Sequence, residues 1–105
     1  MEARALYDEL ADDLAARNDH VQLGQMMGMP AIKAGGKMIG GFSRDEGALV
    51  VKLPDATARE QALALDGAHL FDPMGGRPMK EWVVVPPAHA AEWPRLAEQA
   101  LSLRG

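Results

Sequence analysis

The fold of this chain is decided by residues 31–53, which read AIKAGGKMIGGFSRDEGALVVKL. Glycine tolerates positive φ at both central positions of a two-residue turn, so Gly35-Gly36 predicts a hairpin between two strands. The second pair, Gly40-Gly41, lies inside an apolar stretch and predicts a bulge or a close backbone approach. This segment therefore indicates consecutive antiparallel strands rather than a helix.

Alternation of side chains predicts further strands on both sides of this hairpin. At residues 48–53 one face carries Leu49, Val51 and Leu53, and the other carries Val50 and Lys52. A period of two also runs through residues 21–27, and short apolar runs at 69–71 and 82–85 are strand-like. Because successive strands are joined by short connections, we expect hairpins and hence an antiparallel sheet.

Helices are predicted at both ends of the chain. Residues 2–17 carry leucines every four positions, at Leu6, Leu10 and Leu14, which is typical of an amphipathic helix. The last segment shows the same periodicity, at Trp93, Leu96, Ala97, Ala100 and Leu101. Pro94 fits that helix only in its first turn.

A short middle helix is predicted at residues 58–65, with Asp55 and Thr57 as rival N-caps. A chain of 105 residues suits one domain, which we expect to span residues 1–105. We therefore predict a two-layer α+β domain with an antiparallel sheet of four to six strands. The N- and C-terminal helices are expected to pack on one face of this sheet.

Composition argues against several classes of protein. No apolar run approaches the roughly 20 residues of a membrane-spanning helix, and the acidic N-terminal stretch is not typical of a signal peptide. We therefore expect a cytoplasmic protein that does not associate with membranes. Absence of cysteine excludes thiol catalysis and Cys-based zinc sites. The net charge of −4, with scattered basic residues, argues against direct nucleic-acid binding.

Few residues form a pattern typical of catalysis. His69 lies near Asp72 in the sequence, and this pair is the one candidate for acid–base chemistry or a metal site. A half-exposed histidine beside a loop is the simpler interpretation. We therefore expect no catalytic residues, no metal and no cofactor, and we keep an enzyme or small-ligand binder using His69 and Asp72 as an alternative.

Methionine is the unusual signal, with seven in 105 residues. This side chain fills irregular gaps in cores, and it also lines adaptable binding surfaces. Both uses remain open from the sequence. The candidate partner-binding surface consists of Met26, Met27, Met29, Met74, Met79 and Trp82.

Four stretches of this sequence resemble the N-terminal domain of the TfoX (Sxy) family. They are MMGMPAIKAGGKMI at residues 26–39, LVVKL at 49–53, FDPM at 71–74 and PMKEWVVVP at 78–86. The resemblance extends over about residues 5–103, and the last stretch is also similar to YjbR-like proteins. It differs at Met27, where the family commonly has phenylalanine.

The resemblance implies an α+β domain related to secretion-chaperone-like folds, without catalytic residues. Full-length TfoX proteins regulate natural competence as transcriptional co-activators, and they add a C-terminal helix-hairpin-helix-type domain that we expect this chain to lack. The leading hypothesis is therefore a non-enzymatic, stand-alone TfoX-N-like module that binds a protein partner, with a regulatory role.

Two further hypotheses concern partners. A DNA-associated transcriptional regulator would need five basic residues on one surface, namely Lys33, Lys37, Arg44, Arg77 and Lys80. A homodimer would form if an exposed sheet edge, at residues 21–27 or 82–85, paired across a two-fold axis.

Overall fold

A computed structural model describes residues 2–26 and 28–103. Over this range the chain forms six strands, three α-helices and one 3-10 helix. In chain order they are α1 Ala3–Arg17, β1 Val21–Met26, β2 Met29–Ala34, β3 Lys37–Ser43, β4 Ala48–Lys52, α2 Ala56–Leu63, β5 His69–Phe71, β6 Met79–Val85, the 3-10 helix Pro87–Glu92 and α3 Trp93–Leu103.

The strands form one antiparallel sheet in the order β1-β2-β3-β4-β6-β5. The turn between β2 and β3 has Gly35 at φ 58° and Gly36 at φ 83°, which confirms the predicted hairpin. Ile32 pairs with Gly40 and Lys33 pairs with Met38, so β3 carries one extra residue at a bulge. The predicted α+β architecture, with terminal helices and a short middle helix, is confirmed.

All three α-helices contribute buried residues to one face of the sheet. Helix α1 packs on β1, α3 on β3 and β4, and α2 on β6. Trp93 at the start of α3 is 0% exposed, and its Nε1 donates a hydrogen bond to the Val85 carbonyl oxygen at 3.2 Å. Arg17 at the end of α1 donates a hydrogen bond to Glu98 of α3, which joins the two terminal helices.

The other face of the sheet carries a second apolar cluster, to which only strands contribute within residues 2–26 and 28–103. Val50 and Val51 are neighbours on β4, they belong to opposite faces, and both are 0% exposed. Large side chains from the strands therefore cover the second face without a helix. The second cluster consists of Met29, Ala31, Met38, Ala48, Val50, Phe71 and Val84, with Met26, Met79 and Trp82 packed against it.

Two sequence predictions are corrected by the structure. The middle helix begins at Ala56 rather than at residue 58, because the Asp55 carboxylate accepts a hydrogen bond from the Ala58 N–H at 2.9 Å and caps the first turn. Residues 82–85 are not a sheet edge, because β6 lies between β4 and β5. The exposed edges of the sheet are β1 and β5.

None of the helices in the described part of the chain is long and apolar enough to span a bilayer.

Candidate functional site

An open cleft of about 670 Å³ is lined by residues of the second apolar cluster and of the connections between strands. Three connections meet there, namely those between β1 and β2, between β3 and β4, and between β5 and β6. The cleft therefore combines residues that are far apart in the sequence. Its lining consists of Gly28, Met29, Ser43, Arg44, Asp45, Glu46, Phe71, Asp72, Pro73, Met74, Arg77 and Met79.

Three of the six predicted partner-binding residues line this cleft, namely Met29, Met74 and Met79. Met26 and Trp82 are half-buried and pack against the second apolar cluster, to which Met29 and Met79 also belong. Met27 lies outside the described residues. The structure thus brings five of the predicted residues to one face of the sheet or its adjoining loop.

The apolar floor of the cleft is built by strand pairing. Phe71 of β5 lies opposite Met79 of β6, and both side chains line the cleft. Met29 packs close to Gly41, where an added β-carbon would come within 2.7 Å of the Met29 Cε. Because Gly41 has no side chain, Met29 packs against the sheet at this point and forms part of the floor.

The methionines differ in exposure, and this separates the floor of the cleft from its rim. Met29 is 8% exposed, whereas Met74 is 87% exposed. Met74 lies in the loop between β5 and β6, which holds glycines at positive φ. An exposed methionine of this kind adds nothing to the core of the monomer, but it adds an adaptable apolar contact to a binding surface.

Asp72 shapes the loop that carries Met74 and Arg77. Its carboxylate accepts hydrogen bonds from the Gly76 N–H, at 2.9 and 3.1 Å to its two oxygens, and from the Arg77 N–H at 3.2 Å. Gly76 has φ 148°, a conformation that side-chain-bearing residues rarely adopt. The Asp72 carboxylate is therefore engaged by the backbone of its own loop. This loop conformation places Arg77 beside the cleft.

Two arginines, Arg44 and Arg77, line the cleft beside the apolar floor. Neither takes part in the ion pairs that the structure shows within residues 2–26 and 28–103. Two of the cleft carboxylates are engaged elsewhere, since Asp72 binds its loop and Glu46 contacts His69. The cleft therefore offers two guanidinium groups and the Asp45 carboxylate next to methionine and phenylalanine side chains.

His69 and Asp72 point to different partners. His69 Nε2 lies 2.8 Å from Glu46 Oε1, and its Nδ1 lies 3.0 Å from the Gly67 carbonyl oxygen. Asp72 makes its hydrogen bonds to the loop backbone. The geometry thus gives His69 a carboxylate partner that we did not expect, and it does not join His69 to Asp72. Among the described residues, no three His, Asp or Glu side chains are grouped in a way that could hold a metal ion.

The basic residues required for the DNA hypothesis do not share one depression. Arg44 and Arg77 line the cleft, together with the acidic residues described above. Lys37 instead lines a separate depression with Lys52 and Glu81. The cleft is therefore a mixed-charge surface, unlike the continuous basic face that duplex binders use.

Two shifted pKa values belong to the helical layer and not to the cleft. Burial raises the pKa of the Tyr7 phenol well above its ordinary value, so that this side chain stays neutral. Hydrogen bonds to Glu98 and then to Asp13 raise the pKa of the Arg17 guanidinium. Both residues lie in α1, where they connect the helices and the sheet.

Sequence reasoning missed several residues of the cleft. The sequence predicts Phe71 only as the end of a short strand, although a phenylalanine beside a glycine-rich loop is a recognisable signal for an apolar contact. It indicates Arg44 and Arg77 only as DNA contacts. Nothing in the sequence indicated that Glu46 would meet His69, because 22 residues separate them in the chain.

Comparison with protein-family models, with curated proteins and with solved structures finds no significant match to this chain.

Proposed function

We propose that this chain is a non-enzymatic, cytoplasmic protein-interaction module of the TfoX N-terminal type, with a regulatory role. In this proposal its cleft binds a short segment of a protein partner. The observation that carries the proposal is the meeting of Met29, Met74 and Met79 with two arginines in one open cleft. The resemblance of the sequence to TfoX proteins supports the regulatory part.

The chemistry of the cleft suits a segment that combines an apolar side chain with a carboxylate. Methionine adapts its shape to different apolar groups, so the floor at Met29 and Met79 tolerates several side chains. Arginine binds carboxylates with two parallel hydrogen bonds, so Arg44 and Arg77 favour an acidic residue next to the apolar one. The volume of about 670 Å³ provides room for a few side chains, and not for a folded domain.

The proposal is tested by selecting binders from a random peptide library displayed on phage, with the purified chain as bait. We expect the selected peptides to share an acidic residue close to a large apolar residue. Their affinity for the chain is then measured by fluorescence anisotropy. Since a hydrogen bond to a charged group contributes roughly 1.5–3 kcal/mol, we expect Arg77→Glu to weaken binding about tenfold or more.

A matched control removes the same charge away from the cleft. Lys37→Glu changes the net charge as Arg77→Glu does, but Lys37 lines a different depression. We expect the control to bind the selected peptides with nearly unchanged affinity. Peptides that bind the Arg77→Glu and Lys37→Glu variants equally well would show that the cleft is not the binding surface.

Met74 allows binding to be separated from folding. Because this side chain is 87% exposed, Met74→Asp should change the free energy of unfolding by less than about 0.5 kcal/mol. The same variant should weaken peptide binding, since it places a negative charge at the rim and removes an apolar contact. Unchanged peptide affinity in a folded Met74→Asp variant would argue that the loop takes no part in recognition.

A further inference from the structure

The edge strand β1 lacks the features that normally prevent an exposed edge from pairing. Natural sheet edges are protected by charged side chains, proline, bulges or short length. Strand β1 reads VQLGQM, with no charged residue and no proline, and its register with β2 is unbroken from Val21 to Met26. The opposite edge, β5, has only three residues. One edge of the sheet is thus open to pairing along six residues.

The direction of the backbone groups in β1 follows from its pairing with β2. Gly35 donates its N–H to the His20 carbonyl oxygen, so residues 20 and 35 are a hydrogen-bonded pair. Hydrogen-bonded and non-hydrogen-bonded pairs alternate along an antiparallel ladder. Leu23 and Gln25 therefore belong to non-hydrogen-bonded pairs with β2. Pro30, which has no N–H, lies opposite Gln25 and fits this assignment. The N–H and C=O groups of Leu23 and Gln25 therefore point away from β2, toward the free edge.

The side chain of Leu23 is also exposed to solvent. It is 43% exposed and is one of the two exposed large hydrophobic side chains found in the described residues, the other being Met74. Leu23 shares a face with Val21, which is buried in the cluster beneath the helices. The outward backbone groups and the uncovered leucine thus occur at the same position of the edge.

From these observations we propose that β1 pairs with β1 of a second copy of this chain, antiparallel across a two-fold axis at Leu23. In this register the N–H and C=O of Leu23 bond to those of the partner's Leu23. The Gln25 N–H donates to the carbonyl of the partner's Val21. The Val21 N–H is already bonded to the Asn18 carbonyl oxygen at 3.0 Å, and it takes no part.

The sequence of β1 is complementary to itself in this register. Leu23 meets the partner's Leu23, which covers apolar surface on both copies. Gln22 meets the partner's Gly24, and Lys33 Nζ of that copy lies 3.9 Å from where a Gly24 β-carbon would be, so a side-chain amide faces an ammonium group there. Strand β1 itself carries no charge, so no like charges of the two edge strands face each other across the axis. A second copy therefore fits this edge, and the dimer closes because both copies use the same strand.

The test places charges at the two-fold axis. Association of the chain is measured by sedimentation velocity at concentrations that rise to about 100 μM. We expect the wild-type chain to form dimers. Leu23→Lys and Leu23→Glu each place two like charges opposite one another, so each variant alone should lose at least tenfold in association. An equimolar mixture of the two variants should recover association, because position 23 then carries opposite charges.

Several results would overturn the proposal. They are a wild-type chain that stays monomeric, a dimer that persists in both single variants, and open-ended polymers, which indicate unlike surfaces in contact. Amide hydrogen exchange gives an independent readout, since the Leu23 and Gln25 amides should become protected as the concentration rises. Thr57→Lys on α2 serves as the charge control, and circular dichroism confirms that each variant is folded. This dimer is independent of the cleft, so either proposal can fail alone.

Discussion

The backbone of Gly41 approaches that of Pro30 so closely that a β-carbon on Gly41 would lie 2.6 Å from the Pro30 carbonyl oxygen. This approach is at the bulged hairpin of β2 and β3, where Met29 and Met38 also lie over the glycine. The close approach of β2 and β3 and the floor of the cleft therefore depend on the same missing side chain.

Gly41→Ala should destabilise the protein by about 3 kcal/mol, since the clash is with backbone that cannot move aside easily. The measurement is urea unfolding followed by circular dichroism. Gly24→Ala is the matched control, at a protein concentration below that at which β1 pairs, because its β-carbon would lie 3.9 Å from the nearest atom, Lys33 Nζ. We expect the control to change the free energy of unfolding by less than about 0.5 kcal/mol. Equal effects of the two substitutions would contradict the close approach.

The two tryptophans should respond differently to truncation. Trp93→Phe leaves the Val85 carbonyl oxygen without its indole donor and opens space in a fully buried site, so we expect a loss of about 2–3 kcal/mol. Trp82→Phe changes a half-buried side chain and should cost less than about 1.5 kcal/mol. Unfolding is followed by far-ultraviolet circular dichroism, because each variant loses a fluorophore. A larger loss for Trp82→Phe would mean that the second cluster is the main core.

The cap of α2 can be assigned by comparing Asp55 with Thr57. Asp55→Ala removes the acceptor of the Ala58 N–H and should lower the free energy of unfolding by about 1 kcal/mol. Thr57→Ala, two residues later and exposed, should have almost no effect. Chemical denaturation of both variants measures the two free energies of unfolding, which are then compared. A greater effect of Thr57→Ala would favour Thr57 as the N-cap and refute the Asp55 cap.

Asp72 should act as a structural residue of the loop. Asp72→Ala should speed amide hydrogen exchange at Gly76 and Arg77 and destabilise the protein by about 1 kcal/mol. Asp45→Ala, in the same cleft, is the control and should leave those amides unchanged. His69→Ala should also leave them unchanged, because the partners of His69 are Glu46 and Gly67. Faster exchange at these amides in His69→Ala would indicate that His69 and Asp72 act together.

Much of the fold follows from local sequence signals. The turn at Gly35-Gly36, the alternation in β4 and the leucine spacing of α1 depend on neighbouring residues only, and each predicts its element correctly. The start of α2 is predicted less accurately, because Asp55 and Thr57 are both suitable N-cap residues for the same helix. These choices depend on small differences in free energy that a pattern does not reveal.

The sequence by itself determined the α+β class, the hairpin and the apolar faces, since backbone conformation and side-chain periodicity are local properties. Only the tertiary structure decided that β6 is internal, that Glu46 contacts His69, and that Arg44 and Arg77 meet the methionines in one cleft. Strand order and loop positions arise from contacts between distant residues, whose energies depend on the packing of the whole sheet. For that reason the methionine pattern was visible in the sequence, while the cleft it lines was not.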